Sequence, residues 1–280
     1  MWRVDSLQQI ALELDCREQR RSGIGWLECD TGAPRTAVIF HGVTGGKMDM
    51  LPIMRAYARC GYAVYAIDLP GHGGSDFLEA KNFDDLAGWC DRALRRIGRT
   101  PDVIVANSYS SSLLYWYMCR GFLPTCTRVI LGCPVPRVSW LSNALHLLSV
   151  RAPERFFWPI YNSSGIRVAR TALLLSSLDR SAWAWTLESE RRKEQYTSQR
   201  AANTLTELIY RRNPFETTLP EDVQRRVTVV MGENDLLVNR RSRELMHQLL
   251  PCSLFRSVPH AGHLLQFEAW SRLLPEYGWN

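Results

Sequence analysis

Three short segments carry residue types that could move an acyl group. An apolar run, Val103-Ile104-Val105, stops at Ala106-Asn107-Ser108-Tyr109-Ser110 and gives way to a second apolar run from Leu113 to Met118. A serine at a strand-to-helix corner presents a nucleophilic hydroxyl, and the corner is so tight that its usual form is Gly-x-Ser-x-Gly. Here Ala106 and Ser110 stand in for the glycines. Taken alone, the segment has a second reading: Ser110, Ser111 and Ser112 crowd the same turn, and serines at a helix start also cap exposed backbone N–H groups. Further on, Val227 to Met231 leads into Gly232-Glu233-Asn234-Asp235, a turn that offers a carboxylate. Near the C-terminus stands Pro259-His260-Ala261-Gly262-His263-Leu264-Leu265, which offers an imidazole. Hydroxyl, imidazole and carboxylate together are the groups of nucleophilic acyl transfer.

The elements that must hold these groups alternate between strand and helix. Thr36 to Phe40, Tyr62 to Ile67, Asp102 to Ala106, Arg128 to Leu131 and Val227 to Met231 read as strands. Met50 to Arg59, stopped by Gly61, and Phe83 to Ile97 read as helices. Apolar strands separated by helices imply a parallel sheet covered on both faces, with its ligand site beyond the strands' C-terminal edge. Between Pro134 and Leu219 the alternation lapses into a segment rich in Leu, Trp and Arg, in which Ala182 to Tyr210 reads as one or two helices. An insertion of roughly 80 residues is too long for a connecting loop and reads as a cap. The expected organisation is a core of residues 1–133 and 219–280 with a helical cap at 134–218.

Serine, then acid, then histidine is the chain order of the α/β-hydrolases, and from residue 24 onward the chain resembles a capped member of that family. His41-Gly42-Val43-Thr44-Gly45-Gly46 resembles its oxyanion loop, Asp68 to Asp76 its D-x-P-G-x-G-x-S-D loop, Gly232 to Asp235 its acid turn and Gly262-His263 its histidine loop. The resemblance implies an α/β-hydrolase fold: a mostly parallel sheet flanked by helices, with the cap inserted between two core strands. It also implies Ser108 as nucleophile, His263 as general base and Asp235 as its orienting acid, with the backbone N–H groups of Val43 and Tyr109 as the oxyanion hole. Ser110, His260 and Glu233 are the rivals; each departs from the motif spacing. His41 and His72 are in this family loop-holding residues, and His146 and His247 read as surface or packing residues on helical stretches. His41 and Gly42 beside the oxyanion loop, and Trp140 and Trp183 in the cap, are candidates to touch substrate. One departure stands out: the elbow lacks both glycines and puts Tyr109 beside an oxyanion donor, where its ring could narrow the pocket or place a hydroxyl near the substrate.

A serine at the elbow suits acyl transfer to water, and the resemblance points to monoacylglycerol-lipase or carboxylesterase-type members. No metal or cofactor is expected. The aromatic, leucine-rich cap suggests a small-molecule ester with an apolar acyl or alkyl group. A second reading is a thioesterase, or an esterase like those acting on pimeloyl-carrier methyl esters. There Arg151, Arg155, Arg167 and Arg170 would meet an acidic acyl carrier protein. A third is a hydrolase-fold protein that binds a ligand with little turnover.

Composition sets the outer bounds. The 280 residues carry a net charge of +6, with basic residues spread widely, and no nucleic-acid-binding motif accompanies the charge, so nucleic acid is not an expected partner. No apolar stretch approaches the roughly 18 residues that span a bilayer, and Met1 to Arg20 carries acids and no apolar core of a secretion signal. A cytoplasmic location is the expectation. The 8 cysteines show no C-x-x-C spacing and read as small buried hydrophobes.

Overall fold

Short runs of Val, Ile and Ala, each buried on both sides, make the middle of an eight-stranded sheet. The computed structural model describes residues 5–30, 32–136 and 140–274. Its strands are β1 (Arg17–Arg21), β2 (Ile24–Cys29), β3 (Arg35–Phe40), β4 (Tyr62–Ile67), β5 (Val103–Asn107), β6 (Arg128–Gly132), β7 (Val227–Gly232) and β8 (Leu254–Val258). They lie in the order β1-β2-β4-β3-β5-β6-β7-β8. From β4 to β8 every pairing is parallel, while β1 and β2 join antiparallel at one edge. The register sets Phe40 beside Ala106 and Asn107 beside Gly132, so the C-terminal ends of β3, β5 and β6 finish level.

The helices are α1 (Leu7–Glu13), α2 (Leu51–Arg59), α3 (Phe83–Ile97) and α4 (Tyr109–Cys119), then α5 (Trp140–Arg151), α6 (Glu154–Tyr161), α7 (Ser164–Leu174), α8 (Arg180–Tyr196) and α9 (Gln199–Arg211), and finally α10 (Glu221–Gln224), α11 (Arg240–Leu249) and α12 (Leu265–Glu268). Local chemistry sets their ends. Asn82 caps α3 by accepting from the Asp85 N–H in a reciprocal capping box, and Gly98 ends it in the left-handed conformation at φ 75°. α4 is apolar nearly all round and is buried along Tyr109 to Met118, as a helix wedged into a core must be.

The helices α5 to α9 fall between β6 and β7, where the cap is expected. The single stretch from Ala182 to Tyr210 is two helices, split where Ser198 turns extended to cap α9 by accepting from the Ala201 N–H. α8 is tied to the core on two sides. Glu188 accepts from the Leu7 N–H at 2.9 Å, Trp185 Nε1 donates to Asp5 O at 2.6 Å, and at the far end the Gly73 N–H donates to Tyr196 O at 2.6 Å. Three cysteines (Cys29, Cys90 and Cys133) are buried as expected, whereas Cys126 is exposed. No helix among the described residues is long and apolar enough to cross a membrane.

Candidate active site

Ser108 stands between the end of β5 and the first residue of α4, with φ 56° and ψ −119°. That conformation costs a non-glycine residue on the order of 1–3 kcal/mol and persists only where its surroundings impose it. They do so through backbone bonds: the Ser108 N–H donates to Gly132 O at 2.8 Å and the Ser111 N–H donates to Ser108 O at 3.0 Å. Small neighbours complete the corner. A Cβ at Gly42 would stand 3.4 Å from the Ser108 Cβ, and one at Gly132 would stand 2.6 Å from Asn107 Oδ1.

The crowded serines separate cleanly. Ser110 Oγ accepts from the Asn107 N–H at 2.9 Å and lies 3.0 Å from Phe40 O, and Ser111 Oγ donates among Ala106 O and Gly132 O at 3.1 Å. Both hydroxyls are spent on strand-end carbonyls. Ser108 Oγ instead faces His263 Nε2 at 2.8 Å, and His263 Nδ1 faces Asp235 Oδ2 at 2.8 Å. The carboxylate fixes the tautomer: Nδ1–H donates to Asp235, leaving Nε2 to accept from the serine. Of the rivals, His260 and Glu233 are exposed and outside this chain of bonds.

Asp235 is buried, and burial alone would raise its carboxyl. The charge and hydrogen bond of His263, with hydrogen bonds from Cys133 and the Leu237 amide, outweigh burial and hold it below the usual carboxylate range. The Leu237 and Val238 N–H groups donate to its second oxygen at 2.8 and 3.1 Å. Cys133 Sγ, Asp235 and His263 bring potential metal-ligand atoms within 4.8 Å of one another, although two of the three are already joined by a hydrogen bond.

The expected oxyanion donors flank the serine. Tyr109 is the first residue of α4, so its N–H has no partner one turn back. The Val43 loop is held by His72, whose Nε2 lies 2.7 Å from Val43 O while Nδ1 lies 2.9 Å from Pro70 O. The Tyr109 ring corrects the expectation placed on it: it is buried against Phe83, 6.4 Å between centroids, and does not line the cavity.

A cavity of about 350 Å³ opens over Ser108 and His263, lined by the 42–45 loop and by α5 to α9. Gly42 lines it, as expected. His41 does not. It is fully buried, its Nε2 accepting from the Leu69 N–H at 3.0 Å and its Nδ1–H donating to Gly42 O at 2.7 Å, and burial takes it down to about 3. Trp183 also misses the cavity, its indole N–H donating to Ser177 O at 2.9 Å. The side chain of Trp140 lies outside the described residues. Trp158 and Phe157 supply the aromatic wall instead, and His146, expected as surface or packing, lines the cavity while stacking on Tyr210 at 4.7 Å.

Residues 37–275 match the alpha/beta hydrolase family. The chain belongs to this family. A segment of 85 residues is 32% identical to the 2-succinyl-6-hydroxy-2,4-cyclohexadiene-1-carboxylate synthase of Yersinia pseudotuberculosis serotype O:1b (strain IP 31758), a match spanning 30% of this chain and 30% of that protein. Among solved structures, the 2-hydroxy-6-oxo-6-phenylhexa-2,4-dienoate hydrolase of Rhodococcus sp. strain RHA1 superposes with a TM-score of 0.68 at 16% identity, over 92% of this chain and 95% of that one. A carboxylesterase of Bacillus subtilis does so with a TM-score of 0.66 at 14% identity, over 95% and 92%. At such identities the likeness is one of fold.

Motif spacing within this alpha/beta hydrolase does not reveal Glu268. Its Oε1 accepts from the Ser176 and Ser177 N–H groups, both at 2.6 Å, and its Oε2 accepts from the Gly262 N–H at 2.8 Å. The His263 N–H adds a bond to Leu174 O at 2.8 Å. The histidine loop and the α7–α8 connection are thus stitched together around one carboxylate, two of whose three partners lie about 90 residues away in the chain.

Proposed function

We propose that this protein is a serine hydrolase that cleaves carboxylic esters through an acyl-enzyme. The observation that carries the reading is the unbroken line from Ser108 Oγ through His263 to Asp235, with 2.8 Å at each step. Ser108 attacks the carbonyl carbon as His263 Nε2 takes its proton, and Asp235 stabilises the imidazolium that forms. The N–H groups of Val43 and Tyr109 receive the oxyanion. Aimed donors of this kind act on charge present only in the transition state and are worth roughly 3–4 kcal/mol each. His263 then returns the proton to the departing alkoxide. Water, deprotonated in turn by His263, releases the acid and restores Ser108.

The cavity wall of Phe157, Trp158, Leu173, Leu174 and Phe267 supports an apolar portion in the substrate. The experiment is turnover of p-nitrophenyl esters of increasing chain length, with fluorophosphonate labelling of wild type and Ser108→Ala. Turnover and labelling that vanish together in the variant are expected. Absence of both in the wild type overturns the reading and favours a protein that binds without turnover.

A carrier-bound acyl substrate is the second reading, favoured by the exposed Arg151 and Arg155 on α5 and α6. Arg170 is withdrawn from that role, because its guanidinium turns inward to Glu190. Rates on carrier-bound substrates that fall steeply with salt, while those on small esters do not, are the outcome this reading requires.

A further inference from the structure

The cavity holds a second polar group of residues that takes no part in the proton path. Arg170 Nε donates to Glu190 Oε2 at 3.0 Å and its Nη1 donates to Tyr161 O at 2.8 Å, while Lys193 Nζ donates to the other oxygen of Glu190. Both cations line the cavity although they are nearly buried, with 11% and 4% of their side chains exposed. Asp49 lines it as well, at 4% exposure. One Asp49 oxygen accepts from the Gly46 N–H at 3.0 Å, and the other, Oδ1, is buried without a hydrogen-bond partner.

We propose that this cluster seats a carboxylate at one end of the substrate, so that the esters cleaved best have an acyl chain ending in an acid group. The inference deepens the ester-hydrolase reading and rests on it for the position of the scissile bond.

The donor count points to an anion. Two buried cations face the carboxylate of Glu190, which their charges hold below the usual range against its own burial, and Lys193 also acts on Asp49. Lys193 has three N–H groups and Arg170 has five, more than Glu190 and the Tyr161 carbonyl can occupy. A carboxylate accepts several of them at once, in the geometry a guanidinium favours. Asp49 completes the set. Burial pushes its carboxyl up to about 6 in the empty cavity; an arriving carboxylate pushes it higher still, and in the acid form so favoured it donates a hydrogen bond from Oδ1 to the incoming group. A neutral chain end would leave Asp49 Oδ1 without a partner and the spare N–H groups of the two cations unused, which is costly for buried polar atoms. The remaining lining, Phe157, Trp158 and Phe267, suits the methylenes between the two ends.

The test compares p-nitrophenyl monoesters of succinic, glutaric, adipic and suberic acids with neutral p-nitrophenyl esters of matching chain length. At the favoured length the wild type is expected to prefer the acid-ended ester in kcat/KM by about ten- to a hundredfold, the worth of one charge-assisted hydrogen bond. Lys193→Met is expected to collapse that ratio, mainly through KM; equal preference in wild type, or a ratio unchanged in the variant, overturns the proposal. Should Lys193→Met fail to fold, Lys193→Gln, which removes the charge and keeps a polar side chain, is read by the same ratio. Calorimetry on Ser108→Ala separates this inference from the reading beneath it. Monomethyl glutarate is expected to bind more tightly than methyl valerate whether or not wild type turns over any ester, and equal or weaker binding sinks the carboxylate seat by itself.

Discussion

Glu268 grips the amide N–H of Gly262 at 2.8 Å, one residue before the imidazole that faces Ser108. The same carboxylate takes the Ser176 and Ser177 amides. A glutamine retains one acceptor oxygen and turns an NH2 toward N–H donors. Glu268→Gln is therefore expected to lower stability by about 1–3 kcal/mol, the cost of a buried donor left unpaired. Because the loss falls beside His263, kcat is expected to drop more than KM rises. Chemical denaturation and steady-state kinetics on one preparation check both.

The neighbouring serines are expected to behave oppositely. Ser108→Ala removes the proposed nucleophile and is expected to lower kcat on the order of 10⁶-fold, with a near-native melting temperature. Ser110→Ala keeps fluorophosphonate labelling but strands the Asn107 N–H that its hydroxyl accepts, so it is expected to lose about 1–3 kcal/mol of stability. A loss of labelling in Ser110→Ala with Ser108 intact contradicts this assignment.

Asp235→Asn is expected to lower kcat about 10⁴-fold, since the amide presents the wrong partner to Nδ1 and leaves His263 in the unproductive tautomer. The acid also contributes to stability with a definite sign. Its folded-state value is depressed, so its contribution is complete above the unfolded carboxylate range and fades as pH falls through the folded value. The gap in unfolding free energy between wild type and variant should therefore narrow on acidification, measured by urea melts across pH.

Asp49 runs the other way. Its carboxyl rises from the model-compound value of 3.8 to about 6, so the folded state holds the proton longer than the unfolded chain. Stability is lost as pH climbs between those two values and is level above them. Asp49→Asn escapes that loss. Its stability relative to wild type is expected to improve by roughly 2 kcal/mol between pH 4 and pH 7.5; a pH-independent difference refutes it.

Much of this architecture can be read before any coordinates. Tyr62–Ile67 and Phe83–Ile97 coincide with their expected bounds, because a doubly buried strand and a capped amphipathic helix write their environment into consecutive residues. β1 does not. Every residue of Arg17–Arg21 is polar, and only an edge position with no core face permits that. β8, another edge strand with a mostly solvent-facing pattern, hides for the same reason.

The Ser108, Asp235 and His263 motifs are local, since each sits at a strand end that its own neighbours define. Asp49, Glu190 and Lys193 meet only through the packing of α8 on the loop after β3, and no spacing along the chain announces it. His41 and Trp183 fail as substrate contacts because nearness in sequence does not say which side of a loop a ring will take.

The anchoring of α8 also bears on traffic into the cavity. With Glu188 and Trp185 bonded to the N-terminal segment and Tyr196 to the Gly73 loop, lifting the five inserted helices as one body would rupture contacts at the middle and the C-terminal end of α8. Entry and exit instead require movements that leave α8 in place, and the exposed apolar side chains of Leu148, Phe156 and Ile160 put wet apolar surface of the insertion on α5 and α6.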